Sequence, residues 1–262
     1  MCIISNARYH LCELISMTFV NSEVFLLHFY WNGPVPEAGQ FFMIKPERSS
    51  VFLARPISLN EYNPAQGTLK FLIAIKGGGT KELSQMHRGD KAELTGPFGN
   101  KWADFLPERG KVALVGGSAG VAPLAALVAE KPDYHFHFYA GFRKGFRDKE
   151  EEDIMMGAAK NARKVVVTAE DGRNAMSGRI VDYLFEPKDY DAVFACGSLP
   201  MLKSIKHKCE TKGNIPLFIS MERRMACGVG ACLGCTIITT KGNRRCCVDG
   251  PIFAAEDLNL NE

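Results

Sequence analysis

Between residues 9 and 96 the apolar positions fall in short runs, 11–20, 24–31, 40–44 and 69–75, broken by Asn21-Ser22, Asn32-Gly33-Pro34 and Asn63-Pro64. Short apolar runs bounded by Asn, Gly and Pro predict antiparallel strands. One short helix is expected over 81–86, and the region ends on Thr95, Gly96, Pro97, Phe98 and Gly99 before a less regular passage to Gly110. Closing these strands on themselves removes their unpaired edges, so a small antiparallel β-barrel is the expected first unit.

At Lys111 the period changes. A compact apolar run over 111–115 leads into a glycine-rich turn carrying Gly116, Gly117 and Gly120, followed by a helical run over 124–130. Further strands are expected over 135–139, 164–168, 192–195 and 217–219, with helices over 180–185 and 201–211. Strands and helices in alternation predict a doubly wound parallel α/β sheet. After Ser220 the chain turns rich in Cys, Gly and Arg, with too little apolar mass to fold by packing alone, so a bound metal is expected to organise it. The expected division is a barrel over 1–104, an α/β unit over 105–216 and a small cysteine-rich unit over 217–262.

Composition narrows the partners. With 262 residues, 46% hydrophobic and 23% charged, the chain can bury the cores of such units without staples. A net charge of +3, scattered along the chain, argues against nucleic acid or an anionic membrane as a partner. No apolar run approaches the ~18 residues of a membrane span and no secretory signal is visible, so a cytoplasmic protein is expected. In a reducing compartment nine cysteines do not read as a disulfide framework, and the crowding of five of them into 227–247 points to metal. Cys2, Cys12 and Cys209 stand alone and read as ordinary small apolar or surface residues.

The spacing Cys227-x4-Cys232-x2-Cys235-x11-Cys247 matches the plant-type pattern for a [2Fe-2S] cluster. Gly228, Gly230 and Gly234 suit a loop whose backbone N–H groups must approach sulfur. Cys246 and Cys247 are adjacent, and spacing does not choose between them as fourth ligand. Structural zinc is the competing reading, although zinc sites usually present two C-x2-C hooks and this chain has one.

The turn over 116–124, with Pro123 near the helix start, suits a dinucleotide pyrophosphate; the plainer reading is a tight turn without ligand. Arg55, Pro56, Ile57 and Ser58 form a short basic, hydroxyl-bearing strand in which Arg55 can pair with a phosphate or simply with a surface acid. The Gly77-Gly78-Gly79-Thr80 turn offers a second anion nest. His135 and His137 alternate with Phe136 and Phe138 and read as one face of a strand, not as catalysts. With no nucleophile and base set in view, the chemistry falls to cofactors.

Together and in this order, these motifs resemble the ferredoxin-reductase-like flavoproteins, most closely the family of iron-sulfur/FAD electron-transfer subunits of dihydroorotate dehydrogenase B. The similarity spans nearly the whole chain and is densest from Ile219 through Met225-Ala226-Cys227 to Cys235, then from Cys247 to Phe253. In that family the last cluster ligand precedes x-Asp-Gly-Pro, which here selects Cys247, so the implied ligands are Cys227, Cys232, Cys235 and Cys247. The resemblance implies FAD on the barrel, with Arg55, Pro56, Ile57 and Ser58 as the flavin strand, Leu72, Ile73 and Ala74 along the ring, and Gly79 and Thr80 at the pyrophosphate. It implies NAD on Gly116, Gly117 and Gly120, with Cys196 and Gly197 beside the nicotinamide. Ser118-Ala119 and Ala122 stand where the family commonly carries Gly-Ile and Pro.

The implied activity is a relay in pyrimidine biosynthesis. An FMN-containing catalytic subunit would oxidise dihydroorotate and send single electrons through [2Fe-2S] to FAD, which gives hydride to NAD+ in a heterotetramer of two copies of each subunit. Ser58 would tune the flavin and Cys196 would border the hydride path. The alternatives are the same module serving a hydrogenase, a sulfite reductase or a ferredoxin:NADP transhydrogenase, a stand-alone reductase, and a non-catalytic zinc-containing nucleotide sensor. NADP stays open beside NAD, because Phe142-Arg143-Lys144 follows the second α/β strand where an acid would favour NAD.

Overall fold

The computed structural model describes residues 8–183, 185–213 and 215–260. Its first seven strands are β1 (Arg8–Phe19), β2 (Val24–Tyr30), β3 (Phe41–Pro46), β4 (Arg55–Ser58), β5 (Glu61–Asn63), β6 (Thr68–Ala74) and β7 (Lys91–Phe98). They pair antiparallel in the order β4-β3-β7-β1-β2-β6-β5. Buried and more exposed positions alternate along β7, and Phe25, Phe29, Phe42, Phe71 and Leu94 fill the interior. The two edges of the sheet are joined by one stretch of chain: Leu59 N–H donates to the Gln40 carbonyl on the β3 side, and Asn60 N–H donates to Lys70 on β6. A single extended segment, β4 continuing into β5, thus closes the sheet on itself.

The short helix α1 (Gly78–Leu83) starts earlier than the expected 81–86. Thr80 Oγ1 accepts the N–H groups of Lys76 and Gly77 and holds the first turn in place.

The second unit holds β8 (Lys111–Gly117), α2 (Val121–Glu130), β9 (His135–Phe142), α3 (Lys149–Met156), β10 (Lys164–Ala169), β11 (Met176–Ser177), β12 (Ala192–Cys196), α4 (Leu199–Thr211) and β13 (Leu217–Ser220). Beyond a hairpin of β14 (Thr236–Thr239) and β15 (Gly242–Arg245), β16 (Ile252–Ala254) completes its sheet, in the order β11-β10-β9-β8-β12-β13-β16. All pairs are parallel except β13 with β16. The interior of β8 and all of β12 are buried, as parallel strands covered on both faces require.

Three expectations shift. Helix α3 was not visible in the apolar pattern because its first turn is acidic; Asp148 caps it by accepting from Glu151 N–H. The helix expected over 180–185 is one 3-10 turn, Ile180–Tyr183, with Leu184, like Cys2, outside the described residues. The break expected at 216/217 precedes β13, which the α/β sheet uses itself. The cysteine-rich segment leaves that sheet after β13 and returns to it at β16.

Two features lock the units together. One core runs from Val20, Val24, Ala38 and Leu72 of the barrel to Val112, Leu124 and Phe194 of the α/β unit. A second gathers Phe41, Met43 and Phe98 of the barrel, Ala195 and Ile219 of the sheet, and Cys235, Ile237, Cys246 and Cys247. The cysteine segment therefore borrows the apolar mass that its own sequence lacks. Asn100 fastens its exit, accepting from Ile252 N–H at 3.0 Å and donating to the Ile252 carbonyl at 2.8 Å. Among the described residues no helix is long and apolar enough to cross a membrane.

Trp102, fully buried, stacks on Phe194 at 5.0 Å between the two units. Trp102→Ala should cost about 3–5 kcal/mol of stability in a denaturant titration. Trp102→Phe should cost less, because it keeps most of the ring volume and removes an indole N–H that is buried without a partner.

Candidate cofactor sites

The chain winds from β8 to β9 and β10 on one side of the sheet, then crosses to β12 and β13 on the other. Between β8 and β12 lies the switch point at which such sheets open a crevice at their carboxyl ends. Two adjoining clefts open there, of about 580 and 550 Å³. The first is lined by Gly117, Ser118, Gly120, Arg143, Glu170, Arg179 and Gly197. The second gathers Arg55, Pro56, Ile57, Ser58, Leu72, Ile73, Ala74, Thr80 and Cys196. Ala74, Lys76, Ala119 and Glu222 line both.

Close backbone approach fixes this geometry. A Cβ on Gly120 would stand 2.3 Å from the Cys196 carbonyl oxygen, and one on Gly197 would stand 3.2 Å from Gly117 Cα. Gly116 and Gly79 line neither cleft and act through packing. A Cβ on Gly116 would meet Val121 Cα at 2.9 Å, and one on Gly79 would meet Arg55 Nε at 2.6 Å. Ser118 takes φ 52° in the same turn, a left-handed conformation more natural to the glycine it replaces in the family pattern.

The electrostatics of the second cleft favour an anion. Arg55 donates to the Leu53 carbonyl through Nη2, but its Nε is buried with no partner, and so is Nε of Arg223 on the same wall. Leaving a buried donor unpaired costs about 1–3 kcal/mol, which an anionic ligand can recover. The nearest acid, Glu222, is already engaged by Lys76 at 3.1 Å. Cys196 is different in kind: burial pushes its thiol up to about 12, with the Glu222 charge adding to the effect. It is a neutral thiol at physiological pH. Lys76, Glu222, Arg223, Arg224 and Met225 were not legible as cleft residues, because the run 221–225 reads as an approach to the cysteine loop and only the fold brings it to the cleft that β4 lines.

The five C-terminal cysteines carry no disulfide. Cys235 Sγ and Cys247 Sγ stand 3.3 Å apart, both buried, and Cys232 N–H donates to Cys227 Sγ at 3.4 Å. Gly228 and Gly230 take φ 70° and 78°, which turns the loop's N–H groups onto sulfur. Burial raises the Cys227 thiol, but N–H groups of Cys232, Val229 and Ala231 outweigh it and bring the group down to about 7. Cys246 is fully buried, and burial raises both it and Cys247, with Cys235 adding to the rise in each. Among the described residues no three His, Cys, Asp or Glu side chains converge on one metal position. Cys235 and Cys247 stand instead as a contacting pair. Thiolates sharing one tetrahedral metal lie about 3.8 Å apart, so a small shift would fit this pair to one ion. Around the exposed Cys232 the rim is apolar, with Val229, Leu233 and Val248 all open to solvent.

Residues 222–259 match the family described as the iron-sulfur cluster binding domain of dihydroorotate dehydrogenase B. The chain is 38% identical over 226 residues to the dihydroorotate dehydrogenase B (NAD+) electron transfer subunit of Clostridium acetobutylicum, covering 86% of this chain and 87% of that one. It is 36% identical over 251 residues to the subunit of the same name from Caldanaerobacter subterraneus subsp. tengcongensis, covering 94% and 96%. Among solved structures, an NADH-dependent reduced ferredoxin-NADP oxidoreductase shares the fold with a TM-score of 0.80 at 24% identity, over 96% of this chain and 91% of that one. A ferredoxin NADP+ reductase from Neisseria gonorrhoeae, with bound FAD and NADP, aligns with a TM-score of 0.65 at 16% identity, over 79% and 93%.

Because a Cβ at residue 120 collides with backbone, Gly120→Ala should destabilise by about 1–3 kcal/mol in thermal or urea unfolding. Gly78→Ala lies in a helix with open space around it and should be neutral or stabilising by up to about 1 kcal/mol. Equal effects at the two sites would contradict the close-approach account.

Proposed function

The chain belongs to the family of dihydroorotate dehydrogenase B (NAD+) electron transfer subunits, and from that premise we propose that it relays electrons from an FMN-containing, dihydroorotate-oxidising catalytic subunit to NAD+. The reading rests on the adjacency of the two clefts, which share Ala74, Lys76, Ala119 and Glu222, with the cysteine segment packed against the barrel beside the second. In this reading Cys227, Cys232, Cys235 and Cys247 hold a [2Fe-2S] cluster, the second cleft holds FAD and the first holds NAD. When bound, the cluster carries one electron at a time, and the flavin takes electrons singly and releases a hydride.

The residues divide the remaining work. Arg55 and Thr80, with the turn that Gly79 permits, bind the FAD phosphates, and the unpaired Arg55 Nε supports this. Ser58 presents a hydroxyl to the flavin ring, and Leu72, Ile73 and Ala74 exclude water along it. Cys196, held neutral by burial, borders the hydride path without competing as a nucleophile. Gly116, Gly117, Gly120 and Gly197 let the dinucleotide approach the strand ends. Glu170 favours NAD, since a carboxylate accepts from ribose hydroxyls and repels a 2′-phosphate. The cations of the same cleft are partnered: Arg143 lies 3.5 Å from Glu23, and Arg179 lies 3.5 Å from Asp182. The apolar rim of Val229, Leu233 and Val248 is where the catalytic subunit docks, in a cytoplasmic heterotetramer serving pyrimidine biosynthesis.

The chain purified with its native catalytic partner should show flavin and iron-sulfur absorption and should reduce NAD+ when given dihydroorotate. A colourless, metal-retaining protein, or no orotate formed, would overturn the reading. Cys247→Ser should abolish cluster absorption and dihydroorotate-dependent NAD+ reduction, while Cys246→Ser should keep both. The reverse pattern would reassign the fourth ligand.

A further inference from the structure

Arg223 belongs to no motif that accounts for it. It lies in the irregular stretch between β13 and the cysteine loop, four positions before Cys227, and it is half-buried. Its side chain lines the second cleft with Arg55, Ser58 and Cys196, and its Nε is buried without a partner. Among the described residues Arg223 has no ion pair, and Glu222 beside it is taken by Lys76. The stretch that carries it packs against the cysteine core through Met221 and Met225, two positions to either side. One uncompensated cation therefore lines the cleft on a stretch of chain anchored in the cysteine core.

We propose that Arg223 is an electrostatic positioning residue that joins the flavin site to the cluster site, favouring the reduced state of both. The inference rests on the cofactor assignment proposed above. Two electrons delivered singly from the cluster, with one proton from solvent, convert a neutral oxidised flavin ring into an anionic reduced one. The cluster, already negative through its four thiolates, gains a further negative charge with each electron that it holds. A guanidinium that lines the cleft four positions before Cys227 lowers the cost of that charge on either side, and partial burial keeps the interaction from being screened away. Arg224 lines the same cleft but is exposed, so its charge is largely screened.

The test uses the complex with its native catalytic partner, titrated anaerobically with redox mediators while flavin and cluster absorption are followed separately. Arg223→Gln should lower the reduced-to-oxidised ratio of the flavin at fixed potential by about tenfold, equivalent to about 30 mV for a two-electron couple. The cluster should move in the same direction. Arg223→Lys should restore most of both shifts, and Arg224→Gln should leave both near wild type. Unchanged potentials in Arg223→Gln with full cofactor content would overturn the proposal. So would a Lys variant that binds both cofactors yet titrates like Gln, because the charge would then not be the agent. If Arg223→Gln loses a cofactor, Arg223→Lys against wild type decides: wild-type-like potentials support the proposal, and potentials lowered as far as predicted for Gln overturn it. Wild-type protein that carries no flavin or no cluster would instead overturn the cofactor assignment itself.

Discussion

The contact on which the rest of the molecule depends is the approach of the β8–α2 turn to the end of β12. Gly120 sits so close to the Cys196 carbonyl that no side chain fits between them, and Gly117 and Gly197 pack against each other and against Met201 beside it. This packing brings the carboxyl ends of the two central strands to one place, with the crevice of the doubly wound sheet directly above. The barrel then docks through the core that joins Val24 and Leu72 to Leu124 and Phe194, and its strand β4 completes the second cleft. Without the close contact the two clefts would not share a wall.

The sequence made most of this legible where a local pattern carried the information. Strand runs, the change of period at Lys111 and the cysteine spacing are all set by nearest neighbours, and each corresponds to an element or cluster of the fold. Helix α3 escaped because an acidic, capped helix has little apolar stripe to show. The closure of the barrel escaped detail for another reason: the step from β4 to β5 changes pairing partner between two consecutive residues, Leu59 and Asn60, and no side-chain pattern encodes that. The clefts divide along the same line. Arg55 and Ser58 could be read from their own strand, whereas Arg223 became a cleft residue only once β13 lay beside β12.

The cysteine segment shows how a piece of chain with little apolar content can still be well placed. It is an excursion from the edge of the α/β sheet, fixed at its start by Met221 N–H on the Pro251 carbonyl and at its end by Asn100. Its buried thiols sit in a core to which Phe41, Met43 and Phe98 contribute from the barrel. Metal binding therefore does not have to supply all of the folding free energy, as it does in an isolated metal-organised domain. What it supplies is the displacement of thiol protons. The N–H groups around Cys227 bring that thiol down, whereas burial raises Cys247.

That asymmetry bears on which face of the segment meets a partner. Cys235 and Cys247 lie inside, in a core shared with the barrel, whereas Cys232 is exposed, as are the apolar residues Val229, Leu233 and Val248 of the same segment. An electron carrier must have one side close to its donor and another close to its acceptor, and a segment with a buried thiol pair and an exposed Cys232 offers both. Leu233 holds φ 60°, a conformation that costs an ordinary residue about 1 kcal/mol or more, and it does so with its side chain in solvent. An apolar side chain held outward at such a cost is accounted for when a second protein covers it. In the relay proposed above, the exposed rim is the end that meets the partner and the buried pair is the end nearer the second cleft.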